Sequence, residues 1–223
     1  MEEKFYQATK DGNVEEVKEI LRNKPNLNVN WKNEKEYLGT TALNWACHNG
    51  HDSIVFILLA HPDIDVNKKN GYGSTPFWIA CLLGRTSAVR LLLKVSRVKV
   101  NEPRLDGSTP LWCAAANGHL DLIKWWITSR REMDLGQPGN EKTDALGVAK
   151  NPVMHPWESK EGFEERKKRC TKVATLLERF KENASKTRSE VRMVLGIIGQ
   201  SICLFQNWID LGVEELLSYS SIF

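Results

Sequence analysis

The sequence predicts an all-α solenoid in which similar helix-turn-helix units lie side by side. Nearly the same line occurs twice: GSTPFWIACLLG starts at Gly73, and GSTPLWCAAANG starts 34 residues later at Gly107. Threonines recur at the same period, at Thr41, Thr75, Thr109 and Thr143. A fixed period of this length is typical of repeat proteins, in which each unit covers the apolar face of its neighbour.

Each unit has the same internal order. A turn with glycine comes first, because glycine accepts a positive φ without strain. A threonine follows that can cap a helix, and in two units a proline, Pro76 or Pro110, takes the first helical position. The short first helix carries small residues and ends at a glycine. A second helix with apolar residues at helical spacing follows, and the unit closes with Val-Asn and an extended stretch toward the next turn, a β-hairpin-like finger.

These residues resemble the ankyrin repeat. Its pattern of G-x-T-P-L, A, G-H, V-x-x-L-L and V-N is met most clearly from Gly107 to Ile127, which reads GSTPLWCAAANGHLDLIKWWI. Tetratricopeptide repeats have a similar length but lack the T-P-L and V-N elements. The resemblance covers roughly residues 5–180 and implies an array of about five units.

The predicted boundaries follow the period. We expect an array over 1–180, made of an N-terminal cap unit (1–36), three regular units (37–69, 70–103 and 104–141) and a degenerate unit (142–180). The apolar pair Leu176-Leu177 comes 50 residues after Trp126-Ile127 instead of 34, which indicates an insertion of about 16 residues, at 152–167. Two prolines and a glycine predict that at least its first part is a loop.

The tail, residues 181–223, continues with helical character but without the repeat. Ser185 or Thr187 is a candidate cap for its first helix, and apolar residues at helical spacing follow from Ile202. Gln, Asn and Asp side chains interrupt this apolar stretch, so a membrane-spanning helix is not expected. Either the tail folds back over the last unit or it docks on a partner or a membrane surface. We expect a loosely attached amphipathic helix.

Composition excludes several function classes. With 41% apolar and 26% charged residues a packed core is expected, and a net charge of +3 is too small to indicate nucleic-acid binding. No His, Cys and carboxylate set has ligand spacing, and neither a phosphate-binding loop nor a nucleophile elbow appears. We therefore expect no metal, no cofactor and no catalysis.

The cysteines indicate a reducing compartment. Cys47, Cys81 and Cys113 lie in apolar runs without C-x-x-C spacing, which is typical of buried free thiols. The N-terminus has no apolar signal segment. The expected location is the cytoplasm, with the nucleus as the alternative. The basic run EERKKRCTK (164–172) is interpreted as a solvated helix face, with a nuclear-import signal as the other interpretation.

The resemblance implies a concave protein-binding face, formed by the fingers and the exposed ends of the first helices. Tyr72, Leu82, Leu83 and Leu105 are expected to form an apolar patch on it, although some of these leucines could pack between units. The full set of expected partner-binding residues is Tyr37, Leu38, Thr40, His48, Asn49, Tyr72, Ser74, Leu82, Leu83, Leu105, Asp106, Ser108, Ala116 and Asn117.

Tryptophans form a second recurring feature. Trp78 and Trp112 occupy the same position in successive units, and burial of such large side chains favours a structural role over a partner-binding ladder. Trp45 is shifted by one position and is expected in the core. Trp126 aligns with core leucines and should be buried, whereas Trp125 should pack at a unit boundary.

The expected function is protein–protein recognition by the concave face, as an adaptor or scaffold. One alternative is a regulatory or targeting subunit, such as a host-directed effector, whose C-terminal tail docks on a membrane or a larger assembly. An enzyme is the weakest alternative. Fold alone does not identify the partner.

Overall fold

The computed structural model describes residues 1–36, 38–135 and 143–196. Within them the chain forms helices and one short hairpin in the following order: α1 (Glu2–Asp11), α2 (Val14–Asn23), β1 (Lys32–Asn33), β2 (Thr40–Thr41), α3 (Ala42–Asn49), α4 (Asp52–Ala60), α5 (Pro76–Leu82), α6 (Thr86–Lys94), α7 (Pro110–Ala116), α8 (Leu120–Thr128), α9 (Ala145–Lys150), α10 (Lys160–Glu182) and α11 (Ala184–Val194).

The first helix of each regular unit begins where the threonine period predicts. The hydroxyls of Thr41, Thr75 and Thr109 each accept the backbone N–H three residues on, which satisfies a donor that the helix cannot satisfy itself. The fourth threonine departs from this pattern. Asp144 caps α9 by accepting from the Gly147 N–H, so the cap of the degenerate unit lies one residue after Thr143.

The helices form two layers. The first helices α1, α3, α5, α7 and α9 pack on one another in chain order, and the second helices α2, α4, α6 and α8 do the same beside them. One continuous apolar core runs between the layers, so each unit covers its neighbour. The predicted all-α solenoid is confirmed, with the β1–β2 hairpin as a small addition.

Two ladders of hydrogen bonds connect successive units. In the first, the asparagine of each Val-Asn pair bonds the backbone of the next unit. Asn30 Nδ2 donates to the Asp63 carbonyl oxygen at 2.6 Å, and Asn67 Nδ2 donates to the Arg97 carbonyl oxygen at 2.8 Å. In the second, the residues before α4, α6 and α8, which are His51, Arg85 and His119, each contact a backbone carbonyl oxygen of the preceding unit. His119 Nε2 lies 3.0 Å from the Leu82 carbonyl oxygen. The repeat therefore fixes polar contacts as well as apolar ones between units.

His119 should make stability depend on pH. Burial lowers its pKa below the ordinary value, so as pH falls the unfolded chain takes up the proton first. This stabilises the unfolded state, and we expect the midpoint of thermal unfolding to fall between pH 7 and pH 5. His119→Gln should give a shallower decline. Burial also lowers the pKa of His61. A double variant that replaces both His61 and His119 should therefore show a still shallower decline of the unfolding midpoint as pH falls. An unchanged curve in the double variant would contradict this assignment.

The insertion is held against the array by a buried arginine. Residues 151–159 form a loop, and Ser159 caps α10. Arg166 donates to both carboxylate oxygens of Glu158, at 2.7 and 2.9 Å, and to the carbonyl oxygens of Val153 and Ala116. The hydrogen bonds from Arg166 lower the pKa of Glu158 to about 2. The loop is thus tied both to α10 and to the preceding unit.

The described start of the tail is not loosely attached. α11 packs on α8 and α10, and Val191 and Thr187 are buried there. Arg188 Nε and Arg192 Nη2 donate to the Ile127 and Thr128 carbonyl oxygens at the end of α8. The expected caps Ser185 and Thr187 are wrong, since Asn183 caps this helix. The predicted apolar stretch over 197–223 lies outside the described residues.

Three further observations bear on the function classes. Cys47, Cys81, Cys113 and Cys170 are buried free thiols, and burial raises the pKa of each. In the described part of the chain, no group of three or more His, Cys, Asp or Glu side chains could hold a metal ion. Over the same residues, no helix combines the length and the apolar character that crossing a membrane requires.

Candidate partner-binding groove

A cavity of about 270 Å³ lies between the fingers and the first helices of the second and third units. We call it the groove. This volume is just below the ~300–1,000 Å³ typical of sites for small molecules, and the cavity is open along one side, as a surface for another chain would be. The groove is lined by Thr40, Asn44, Trp45, His48, Asn70, Tyr72, Ser74, Trp78, Ile79, Leu82, Leu83 and Arg104.

The floor of the groove is apolar because α5 is apolar all round. Its sequence, PFWIACL, places Phe77 in the main core, whereas Trp78 and Ile79 join a separate small cluster with Cys113. Leu82 and Leu83 pack against that cluster but stay half-buried. A helix without a polar face needs cover on both sides, and on the groove side the described residues leave this cover incomplete.

Arg104 forms one wall. Its guanidinium lies over the rings of Tyr72 and Trp78, 5.3 and 5.2 Å from their centroids, in the arrangement of a cation–π contact. Among the described residues, its ion-pair partner is Asp106, with Oδ2 at 3.5 Å. Burial raises the pKa of Asp106, but the hydrogen bonds from Ser108 and the charge of Arg104 together leave this pKa lowered.

Trp45 forms the opposite wall. The cation beside its ring, Lys10, is already paired with a carboxylate. Lys10 Nζ lies 4.7 Å from the Trp45 ring centroid and donates to both carboxylate oxygens of Glu36, at 2.8 and 2.9 Å. These bonds from Lys10 are the main reason that the pKa of Glu36 is lowered. Trp45 Nε1 and Glu36 both bond the Tyr6 hydroxyl. The N-terminal unit thereby supports this end of the groove.

The finger tips carry exposed apolar side chains beside the groove. Leu38, Tyr72 and Leu105 are 59%, 40% and 77% exposed. The tips also touch one another, because the Leu105 N–H donates to the Tyr72 carbonyl oxygen at 3.2 Å. Stacked fingers therefore present a strip of apolar tips in a fixed order.

The structure gathers only part of the expected binding set into the groove. Six of those residues line it: Thr40, His48, Tyr72, Ser74, Leu82 and Leu83. Leu38, Leu105 and Asp106 lie at exposed finger positions. Asn49 Nδ2 donates to the Lys10 carbonyl oxygen and Asn117 Nδ2 to the Cys113 carbonyl oxygen, whereas Ala116 accepts from Arg166. Tyr37 lies outside the described residues.

Three residues that we expect to be exposed at the finger tips are buried instead. Thr40, Ser74 and Ser108 are only 4%, 3% and 2% exposed. Each lies where the finger returns to the helix, and the polar groups there hold the turn: Thr40 Oγ1 donates to the Glu36 carbonyl oxygen and Ser108 Oγ to Asp106 Oδ1. These side chains hold the turns of the fingers, and Thr40 and Ser74 also line the groove.

The sequence did not predict that Arg104, Asn44 and Asn70 line the groove, and it predicted Trp45 only as a core residue. Trp45 is 7% exposed, yet it lines the groove. A signal for Arg104 was present in the period, because Glu36, Asn70 and Arg104 occupy the same place in successive units. Glu36 and Asn70 make hydrogen bonds within their own fingers or to the N-terminal unit, whereas the change to a base at Arg104 marks this position as a candidate for recognition.

The tryptophan ladder joins neighbouring units. Trp78 is 4% exposed, and its Nε1 donates to the Ser108 carbonyl oxygen of the next finger at 2.9 Å. Trp112 is half-buried, with Nε1 3.4 Å from Thr143 Oγ1. Trp126 is fully buried as predicted, whereas Trp125 is half-buried with Arg90 stacked 3.9 Å from its centroid.

Trp112→Ala should therefore lower thermal stability more than it weakens binding. The ring packs against the main core and against the small cluster, and it lies outside the lining of the groove. Melting curves and affinities of one partner for wild type and variant give the comparison. A loss of affinity without a loss of stability would show that Trp112 belongs to the binding surface.

Comparisons with known proteins agree with the helical-repeat fold. A family model of ankyrin repeats, in three copies, matches residues 5–70 and 58–137. The chain is 37% identical over 65 residues to osteoclast-stimulating factor 1 of Xenopus laevis and of Danio rerio, and 35% identical to that of Rattus norvegicus. Each match covers 29% of this chain and 28% of the relative. The chain belongs to the ankyrin-repeat family.

Proposed function

We propose that the protein is an adaptor or scaffold that binds a partner protein with its concave face, through the groove and the finger tips. Ankyrin repeats are protein-interaction modules, and this part of the function comes with the family. The observation that supports the location is the incomplete apolar cover of α5, where Leu82 and Leu83 are half-buried beside exposed Tyr72. Contiguous apolar surface of this kind marks interaction sites. We place this activity in the cytoplasm or nucleus and assign it no catalytic step.

Removal of the finger-tip anchors should weaken the partner without unfolding the array. Tyr72 and Leu105 are exposed, so the double variant Tyr72→Ala/Leu105→Ala should keep its helical circular dichroism. Interface anchors of this type typically contribute 1–2 kcal/mol or more each, so affinity should drop at least about tenfold. The matched control is Val153→Ala/Trp157→Ala, which removes exposed apolar side chains from the insertion loop.

Affinity capture from the native cell supplies the partners for this measurement. The proposal requires partners that wild type and the control variant both retain. The same partners should be lost with Tyr72→Ala/Leu105→Ala and with Leu82→Ser/Leu83→Ser. If every captured protein is retained by both concave-face variants, the proposal is wrong.

A truncation distinguishes this proposal from recognition by the tail. Because α11 packs on α8 and α10, the cut belongs after Gly196 rather than at the end of α10. The shortened chain should fold and keep its partners. Loss of the partners with intact folding would transfer recognition to residues 197–223.

A further inference from the structure

We propose that the groove selects acidic–apolar segments: a partner peptide that seats an aliphatic or aromatic side chain on Leu82 and Leu83 and directs an Asp or Glu carboxylate to Arg104. The inference rests on the proposed function and specifies the chemistry of the partner. Neither the family nor the curated relatives supply it. It comes from the charge and hydrogen-bonding balance of the groove.

Arg104 is the only Arg, Lys, Asp or Glu among the described residues that line the groove. A guanidinium has five N–H donors, and the described residues offer it one carboxylate oxygen at 3.5 Å, which is a loose contact. That carboxylate also accepts from the Ser108 N–H and hydroxyl. Arg104 therefore keeps donors for an incoming acceptor, while Tyr72 and Trp78 hold its plane in position.

Asn44 has a second side-chain donor that lacks a hydrogen-bond acceptor among the residues that the structure describes. Its side chain lines the same cavity, and its Oδ1 already accepts from the Thr41 N–H and hydroxyl, at 3.0 and 2.7 Å. Its Nδ2 is buried and finds no acceptor in the described part of the chain. A buried unpaired donor costs about 1–3 kcal/mol. Arg104 and Asn44 thus both have donors left without an oxygen acceptor within the described ranges, but Asn44 is 0% exposed, so Arg104 is the donor that an incoming segment meets first.

The other cation near the groove does not compete for this role. Lys10 is held by two hydrogen bonds to Glu36, so its charge is neutralised within the N-terminal unit. The two ends of the groove therefore differ. At the Trp45 end, where Thr40, Asn44 and His48 are polar, the cation Lys10 is bound by Glu36, whereas the end at Tyr72 has apolar Leu82 and Leu83 beside Arg104. A ligand with one carboxylate beside an apolar side chain complements this asymmetry, and a basic or uncharged ligand does not.

Peptide selection tests the chemistry directly. Random 12-residue peptides displayed on phage are selected in parallel against the full-length wild type and against Arg104→Glu. We expect the wild-type pool to be enriched in Asp or Glu close to Leu, Ile or Phe, and the Arg104→Glu pool to lose its acidic residues. Arg104 is partly exposed, so both proteins should fold alike by circular dichroism and thermal unfolding.

Affinities of one selected peptide then measure the effect of Arg104. The peptide, labelled with fluorescein, should bind Arg104→Glu about 10–100-fold more weakly than wild type, as expected for a charge-assisted hydrogen bond. Arg104→Gln should lose less. The peptide with its acid changed to Lys should prefer Arg104→Glu over wild type. Lys172→Glu makes the same charge change on the exposed face of α10 and should leave both affinities unchanged.

The other outcomes separate the inference from the proposed function. Peptides without an acidic preference that still depend on Leu82 and Leu83 would overturn the inference and leave the proposed function intact. Peptides that bind Leu82→Ser/Leu83→Ser as well as wild type would overturn both. If truncation after Gly196 raises peptide affinity tenfold or more, residues 197–223 of the same chain occupy the groove, and the assignment to a separate partner is wrong.

Discussion

Trp126→Ala should lower the free energy of unfolding by about 3–5 kcal/mol, the range for removing a large aromatic side chain from a core. Trp126 is fully buried on α8, and its ring meets Phe77 of the preceding unit edge-on, with 5.0 Å between ring centroids. Its Nε1 donates to the Glu132 carbonyl oxygen at 3.1 Å. The substitution thus leaves a cavity at the junction of two units and an unpaired carbonyl group.

Chemical denaturation of Trp126→Ala against wild type measures this loss. Trp157→Ala is the matched control, because Trp157 is 83% exposed on the insertion loop and its removal should change stability by no more than about 0.5 kcal/mol. Similar losses for the two variants would show that the junction between the third and fourth units is not packed as described.

Gly73→Ala should destabilise the protein more than Gly107→Ala, although the two glycines occupy the same turn in successive units. Both have positive φ, 78° and 83°, so each substitution incurs about 1–2 kcal/mol of backbone strain. A Cβ on Gly73 would also lie 2.8 Å from Leu105 Cγ and 2.9 Å from the Leu105 backbone nitrogen, whereas among the residues that the structure describes a Cβ on Gly107 meets nothing within 4 Å. The contact should add about 1–3 kcal/mol for Gly73 alone.

The difference between these two variants isolates finger stacking. Backbone strain cancels in the comparison, and what remains is the contact between the third and fourth fingers. Equal destabilisation would mean that the fingers stand apart in solution and that the apolar tips do not form a strip.

Local signals explain why most of the fold could be predicted from the sequence. A threonine cap at Thr75 or Thr109 depends only on residues three positions away, and the repeat period locates it. The cap of α9 could not be found in this way, because the period points to Thr143 while Asp144, one residue later, accepts the Gly147 N–H. Asp ranks above Thr as a helix cap, so the residue type rather than the repeat period identifies Asp144.

The groove was harder to predict than the fold. Leu82 and Leu83 could be predicted because they match the exposed end of the first helix in the ankyrin-repeat pattern. Arg104 was missed because its partners, Tyr72 and Trp78, belong to the preceding unit, and only the stacking of fingers brings them within about 5 Å. Thr40, Ser74 and Ser108 were placed outside because turn residues look exposed in a sequence, whereas the stacked fingers bury their bases.

The most direct test of the central claim, recognition by the concave face, is hydrogen–deuterium exchange of the full chain with and without a bound partner or selected peptide. Binding in the groove should slow exchange in residues 70–83 and 104–108, with little change in α4, α6 and α8. Protection confined to the second helices, to α11 or to residues 197–223 would contradict the account.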